Sequence, residues 1–217
     1  MKKIPHINKL AVLALIYSGS ASAAYISETL DPNDSFSDAQ FISDSLFTTK
    51  FDNSINSSRG QNISQLTPHA SILGTGDTTV DYFSFQANQG SLTLDIDNGI
   101  NSGGSFDSWL ALYDSSFNLL ASNDDAQQDA GSQFSFRGSN FRNFSFDSFI
   151  DYQITTGDLY YVVVGGNANP GGIPFGSNYT LHISNERTIG TVVPIPASAW
   201  LFISGILGLF GISRRRG

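Results

Sequence analysis

A chain of 217 residues without a cysteine excludes a disulfide-built fold, and 17 phenylalanines with eight tyrosines supply the apolar mass for one sizeable core. The formal charge of −8 understates the acidity of the middle of the chain: over 28–187 lie all 19 acidic residues, against five basic ones (Lys50, Arg59, Arg137, Arg142, Arg187), a net of −14. A surface of that sign argues against nucleic acid or anionic lipid as partner and suits divalent cations or solubility at a cell exterior.

At the N-terminus, Lys2, Lys3 and Lys9 precede the apolar run from Leu10 to Tyr17, and Ala21, Ser22 and Ala23 supply small residues for cleavage. This is the pattern of a secretory signal peptide over 1–23, with Ala21 and Ala23 as the cleavage-site residues and a mature chain from Ala24 or Tyr25. Export then delivers a body of about 170 residues, the size of one domain.

Next in the chain, 34–43 carries a possible helical turn, with Asp34 as cap ahead of Phe36, Ala39 and Gln40. The Ser- and Asn-rich stretch 44–66 reads as a long loop or irregular edge. Period-two alternation bounded by Gly, Asn, Asp or Ser then predicts strands over 82–87, 92–96, 109–113, 118–121, 134–137, 149–154, 159–164 and 179–183. A loop with two prolines and repeated glycine, 165–176, precedes the last strand. Many short strands with no alternating helices indicate an all-β fold, an antiparallel β-sandwich or jelly roll, over 24–187.

The ordered segments DPNDSFSDAQ (31–40), VDYFSF (80–85), SWLALYDSSFNLLASNDD (108–125) and GDLYYVVVGG followed by YTLHIS make the body resemble the bacterial pre-peptidase C-terminal domain, over 28–184. That family is a compact jelly-roll sandwich found beside secreted peptidases and on exported proteins with none. Collagenase relatives bind calcium at the segment before the first strand and at the acidic residue opening the Asp-Tyr-Phe-like strand. The resemblance therefore implies calcium at Asp31, Asn33, Asp34, Asp77 and Asp81. Where the pattern has a further acidic residue two places before Asp31 this chain has Thr29, with Glu28 one place off. Independently of any family, closely spaced Asp and Asn in loops can bring together the six to eight oxygens that calcium takes.

A second acidic group, Asp107, Asp114, Asn123, Asp124 and Asp125 with Asp147 and Asp151 later, has two readings, turn chemistry or metal binding. Catalytic parts are scarce: there is no cysteine, no Gly-x-Ser-x-Gly elbow and no His-Glu-x-x-His helix. Export leaves His69, placed in a loop after Pro68, and His182, whose alternation with Leu181 and Ile183 predicts an outward-facing polar residue. Trp109, Tyr113, Phe117, Tyr160 and Tyr161 could stack on sugars, although alternation sends about half of such a set inward and Trp109 is expected in the core.

The chain closes on VPIPASAWLFISGILGLFGISRRRG: Val193, Pro194, Ile195 and Pro196, then about 16 mostly apolar residues, then Arg214, Arg215 and Arg216. At 1.5 Å per residue that run spans roughly 24 Å, which predicts a marginal transmembrane helix within 194–217, after a linker over 188–193. Terminal arginines favour the cytoplasmic side and leave the body outside. The tail resembles the PEP-CTERM sorting signal, with Pro194 and Pro196 matching its two prolines and Ile195 standing where the family usually has Glu. The resemblance implies recognition and removal by an exosortase, a membrane-embedded peptidase; a plain C-terminal anchor is the other reading.

Together these expectations describe a non-enzymatic exported protein. It is held at the inner membrane until an exosortase-like enzyme processes it, and then works at the cell surface or in an exopolysaccharide matrix as a calcium-stabilised β-sandwich. A carbohydrate-binding adhesin and an accessory or cryptic secreted hydrolase are the alternatives.

Overall fold

The computed structural model describes residues 25–29, 32–57, 59–97, 106–127, 144–167 and 171–187. Its strands are β1 (Tyr25–Ser27), β2 (Gln40–Ile42), β3 (His69–Thr75), β4 (Asp81–Ala87), β5 (Gly90–Asp97), β6 (Ser108–Tyr113), β7 (Leu119–Asn123), β8 (Ala126–Gln127), β9 (Phe144–Ser145), β10 (Phe149–Ile154), β11 (Asp158–Gly166) and β12 (Asn178–Asn185). One five-stranded sheet runs β1-β3-β12-β5-β10 and a second runs β2-β4-β11-β6-β7; β8 and β9 form a separate ribbon. From β3 to β6, and again from β10 to β12, each strand lies in the sheet opposite its predecessor. This wrapping makes a sandwich rather than two meanders.

Alternation sets what lies between the sheets. Leu92, Leu94 and Ile96 of β5, Leu181 and Ile183 of β12 and Ile72 of β3 pack in one core with Phe83 and Phe85 of β4, Val162 and Val164 of β11 and Leu110 and Leu112 of β6. Each such side chain contributes about 1.5–3 kcal/mol by leaving water. The β-branched run of β11 suits its central place between β4 and β6.

The outer face of the first sheet is polar yet buried: Thr93, Asp95 and Asp97 of β5, Thr180, His182 and Ser184 of β12, and His69 and Ser71 of β3. The stretch 44–66 covers it. Thr48 pairs with His69 in an isolated bridge, and Ser57, Ile63 and Thr67 share a groove with Ser91 and Thr93. Beyond the last strand, the buried Arg187 bonds Asp44 Oδ1 at 2.6 Å and the Gln86 carbonyl at 2.7 Å, and stacks 3.4 Å over the Phe47 ring.

The expected strands that fall among the described residues are present, and the β-sandwich stands; 134–137 lies outside them. Three expectations are corrected. The sheets are not wholly antiparallel, because β1 pairs with β3, and β2 with β4, in parallel. Both are outermost strands separated from their partners by long connections, which parallel pairing requires. The helical turn over 34–43 is instead a turn at Ser35–Asp38 leading into β2. The Asp38 N–H donates to the Ser35 carbonyl and Ser35 Oγ donates to Asp38 Oδ2 at 2.6 Å, so short polar side chains take over the bonding that would nucleate a helix.

The transmembrane helix is the third correction. Among the described residues no helix is long and apolar enough to cross a membrane; the helical element there is one 3₁₀ turn, Asp44–Leu46, where a span needs about 20 residues. The residues on which that expectation rested, with Val193, Pro194, Ile195, Pro196, Arg214, Arg215 and Arg216, lie outside the described residues, as do 1–23 with Ala21 and Ala23.

Candidate functional site

Asp81 opens β4 and is 2 % exposed. Its Oδ2 accepts a 2.5 Å hydrogen bond from the hydroxyl of Tyr179, which belongs to β12 in the opposite sheet. The bond ties the two layers together through the interior. Tyr179 reaches across because Gly74, its partner on β3, has no side chain: a Cβ there would collide with the Tyr179 ring.

Around this pair lies a cavity of about 700 Å³ lined by Glu28, Asn33, Asp77 and Asp81 together with Leu73, Phe175, Asn178 and Tyr179. Among the described residues no Lys, Arg or His lines it. Glu28, directly after β1, accepts from Asn33 Nδ2 at 2.8 Å and from the Thr75 N–H at 3.0 Å. The Asn33 carbonyl accepts the Tyr82 N–H at 2.8 Å, which seats the turn before β2 against the start of β4. Asp77, in the β3–β4 connection, accepts from both the N–H and hydroxyl of Thr79, and these bonds hold its carboxyl below the usual range.

Burial pushes the Asp81 carboxyl up to about 8; the Tyr179 bond opposes the shift, and the charges of Glu28, Asp77 and Asp34 add to it. Burial and then the Asp81 charge raise the Tyr179 phenol as well. Both partners are thus held protonated at neutral pH.

Of the residues expected to bind calcium, the structure brings Asn33, Asp77 and Asp81 to one cavity. Asp34 is exposed and does not line it, acting on Asp81 through charge alone; Asp31 lies outside the described residues. The donors are all oxygens, the chemistry a hard cation takes. Among the described residues no three carboxylate or imidazole groups converge as a metal cluster. Sequence reasoning gave Glu28 no role because it is one place out of register with the family pattern; the pairing of Tyr25–Ser27 with β3 carries it to the rim. Tyr179 was legible only as a strand residue, although a glycine inside a strand, Gly74, signals close approach.

Of the second acidic group, Asn123 and Asp124 meet the segment after Asp147, the Asn123 Oδ1 accepting from the Phe149 N–H and the Asp124 carbonyl accepting from Ser148 Oγ, both at 3.2 Å, while Asp114 and Asp151 stand apart. Asp114 caps its own turn through the Ser116 and Asn118 N–H groups, and Asp151 accepts from Thr93 Oγ1 at 2.8 Å. Trp109 is half-buried opposite the core residues Leu110 and Leu112, not in the core as expected, whereas Tyr160 is buried within it. Phe36 plugs an outer cluster on the second sheet, with Tyr82, Tyr113, Phe117 and Tyr161 at ring-centroid distances of 4.5–5.3 Å.

His182 faces away from the core, as the alternation predicts, but into a covered polar layer. It is 2 % exposed, with Nδ1 2.8 Å from Ser71 Oγ and Nε2 3.0 Å from Asp97 Oδ2. His69 opens β3, fully buried, rather than sitting in a loop, and burial lowers its pKa. Ser71, His182 and Asp97 have the connectivity of a nucleophilic triad. Ser71, however, is 1 % exposed in mid-strand, where its flanking backbone is committed to pairing with β1 and β12. In this arrangement no substrate carbonyl reaches the hydroxyl, and those N–H groups cannot serve an oxyanion.

No protein-family model matches this chain, and no curated protein matches it. Among solved structures it is similar to the pre-peptidase C-terminal domain of a collagenase from Bacillus anthracis, at 16 % sequence identity and a TM-score of 0.33, over 67 % of this chain and 93 % of that one.

Proposed function

We propose that this chain is a non-enzymatic exported protein of the cell surface or extracellular matrix, whose β-sandwich is stabilised by calcium at the cavity beside Asp81. The observation that carries this reading is a buried carboxyl, Asp81, set among Glu28, Asn33 and Asp77 in a cavity that no basic side chain lines among the described residues. A divalent cation there supplies the missing counter-charge and takes the place of the proton on Asp81. Export is supported by the basic, apolar and small-residue order of 1–23. Release by an exosortase-like enzyme is supported by Pro194 and Pro196 ahead of the apolar, Arg-ended tail, with an exopolysaccharide as the surrounding polymer.

The test of the calcium reading is thermal unfolding of the exported protein after metal stripping. A cation that binds the folded state alone at one hundred times its Kd adds about 2.7 kcal/mol, a shift of about 5 to 10 °C in a body of this size. The melting temperature in millimolar calcium should exceed that in chelator by this amount, and Asp81→Ala should abolish the difference. Equal melting temperatures in calcium and chelator would sink the site. For the sorting reading, mass spectrometry of the exported protein should find a C-terminus between Val193 and Pro196; recovery only of chains ending at Gly217 from a host with an active exosortase overturns it.

A further inference from the structure

The cavity beside Asp81 is larger than an ion requires. Eight oxygen ligands, at about 30 Å³ each as for water, fill well under half of its roughly 700 Å³. Its wall is also not that of an ion site alone. Beside the carboxyls stand amide and hydroxyl groups, Asn33, Thr75 and Asn178, that can donate as well as accept, and two apolar side chains, Leu73 and Phe175.

Phe175 is 82 % exposed, and its backbone is not free to turn the ring away. The loop that carries it is bonded to the β3–β4 connection at both ends: Thr78 N–H to the Ile173 carbonyl at 2.9 Å, Ile173 N–H to the Thr79 carbonyl at 2.7 Å, Gly176 N–H to the Gly76 carbonyl at 2.8 Å and Gly76 N–H to the Ser177 carbonyl at 2.7 Å. Ile173 is fully buried beneath it, and a Cβ at Gly172 would collide with the Thr78 carbonyl. The same rigid pair of loops thus presents an aromatic ring and the Asp77 carboxyl to one cavity.

We propose that this cavity binds a neutral saccharide, with Phe175 stacking on a sugar ring and the amide, hydroxyl and carboxyl groups of the wall hydrogen-bonding its hydroxyls. A sugar has an apolar C–H face and a rim of groups that both donate and accept, which matches a wall of that mixed kind. An anionic polymer is disfavoured by Glu28 and Asp77, with no basic residue in the lining among the described residues. A simple amine would use the carboxyls and leave the amide N–H groups of Asn178 without a role.

The test is affinity electrophoresis of the exported protein in gels containing mannan, xylan, laminarin or chitosan, each with calcium and with chelator. Retardation by at least one of the three neutral polymers is expected, in either condition, and Phe175→Ala should weaken it about ten-fold or more. The exposed ring leaves the melting temperature of Phe175→Ala unchanged, and Asn178→Ala provides a second variant from the opposite kind of contact. No retardation by any neutral polymer, equal retardation of Phe175→Ala and wild type, or retardation by chitosan alone overturns the proposal. A calcium-dependent melting shift without retardation removes the saccharide and leaves the calcium reading; Phe175-dependent retardation without that shift does the reverse.

Discussion

Asp81 and Asp97 are both strand aspartates buried to within a few per cent, at the start of β4 and the end of β5, yet their surroundings differ in kind. Asp97 faces the imidazole of His182 in a polar layer that the 44–66 segment covers, and that imidazole in turn meets Ser71. Asp81 faces a phenol, with Glu28, Asp77 and Asp34 adding charge of its own sign and an open cavity alongside. Burial alone does not decide what a carboxyl does. A carboxyl whose partners close around it makes a structural tie, whereas one short of counter-charge at a cavity wall makes a candidate binding site.

The largest effect that would break this contrast is expected at Asp97. Asp97→Ala leaves His182 buried with one of its two side-chain partners gone and should cost about 3 kcal/mol or more in urea unfolding. A loss below about 1 kcal/mol would mean that the layer tolerates an unfilled imidazole and that the pairing is not what holds it.

The next effect sharpens the contrast through pH. Asp81 carries its proton to about 8 when folded and to about 4 when unfolded, so between these values the folded state binds more protons and stability falls as pH rises. In chelator the decline reaches up to about 1.4 kcal/mol per pH unit from this group. Asp81→Asn should flatten it, leaving the variant more stable than wild type near pH 8 without metal. His69 acts in the opposite sense: its lowered pKa means that the unfolded state binds more protons below about 6.5, so stability is lost as pH falls through that range. Denaturant midpoints measured from pH 4 to 9 check both limbs, and an unchanged slope in Asp81→Asn would remove Asp81 as the source of the alkaline one.

The smallest effect is expected at Ser71. Ser71→Ala removes one buried hydrogen bond to His182 and should cost about 1 kcal/mol. Labelling of wild type but not Ser71→Ala by a fluorophosphonate would show that the hydroxyl is reachable and restore the hydrolase alternative.

Local pattern was enough for the class of fold and for the residue types at the candidate site. Alternation in 82–87, 92–96, 109–113 and 159–164 marks β4, β5, β6 and β11, because each buries one continuous apolar row and that row is written locally. Asn33, Asp77 and Asp81 entered as candidate oxygen ligands through the family resemblance, and their side-chain chemistry does not depend on where the chain goes.

Tertiary structure decided what depends on a second segment. His182 alternates as an outward residue does, and it does face away from the core; that outer face is an interior because distant segments, 44–66 among them, lie against it. The short β1 and β2 carry no periodicity of their own and exist as strands because each joins an open sheet edge in parallel. Glu28 reaches the cavity through that pairing, and Tyr179 reaches Asp81 through the space left by Gly74. The Glu28–Thr75, Asp81–Tyr179 and Ser71–His182 bonds join residues 47, 98 and 111 positions apart. Chain entropy keeps such groups apart until the core has formed, so no local pattern encodes their meeting.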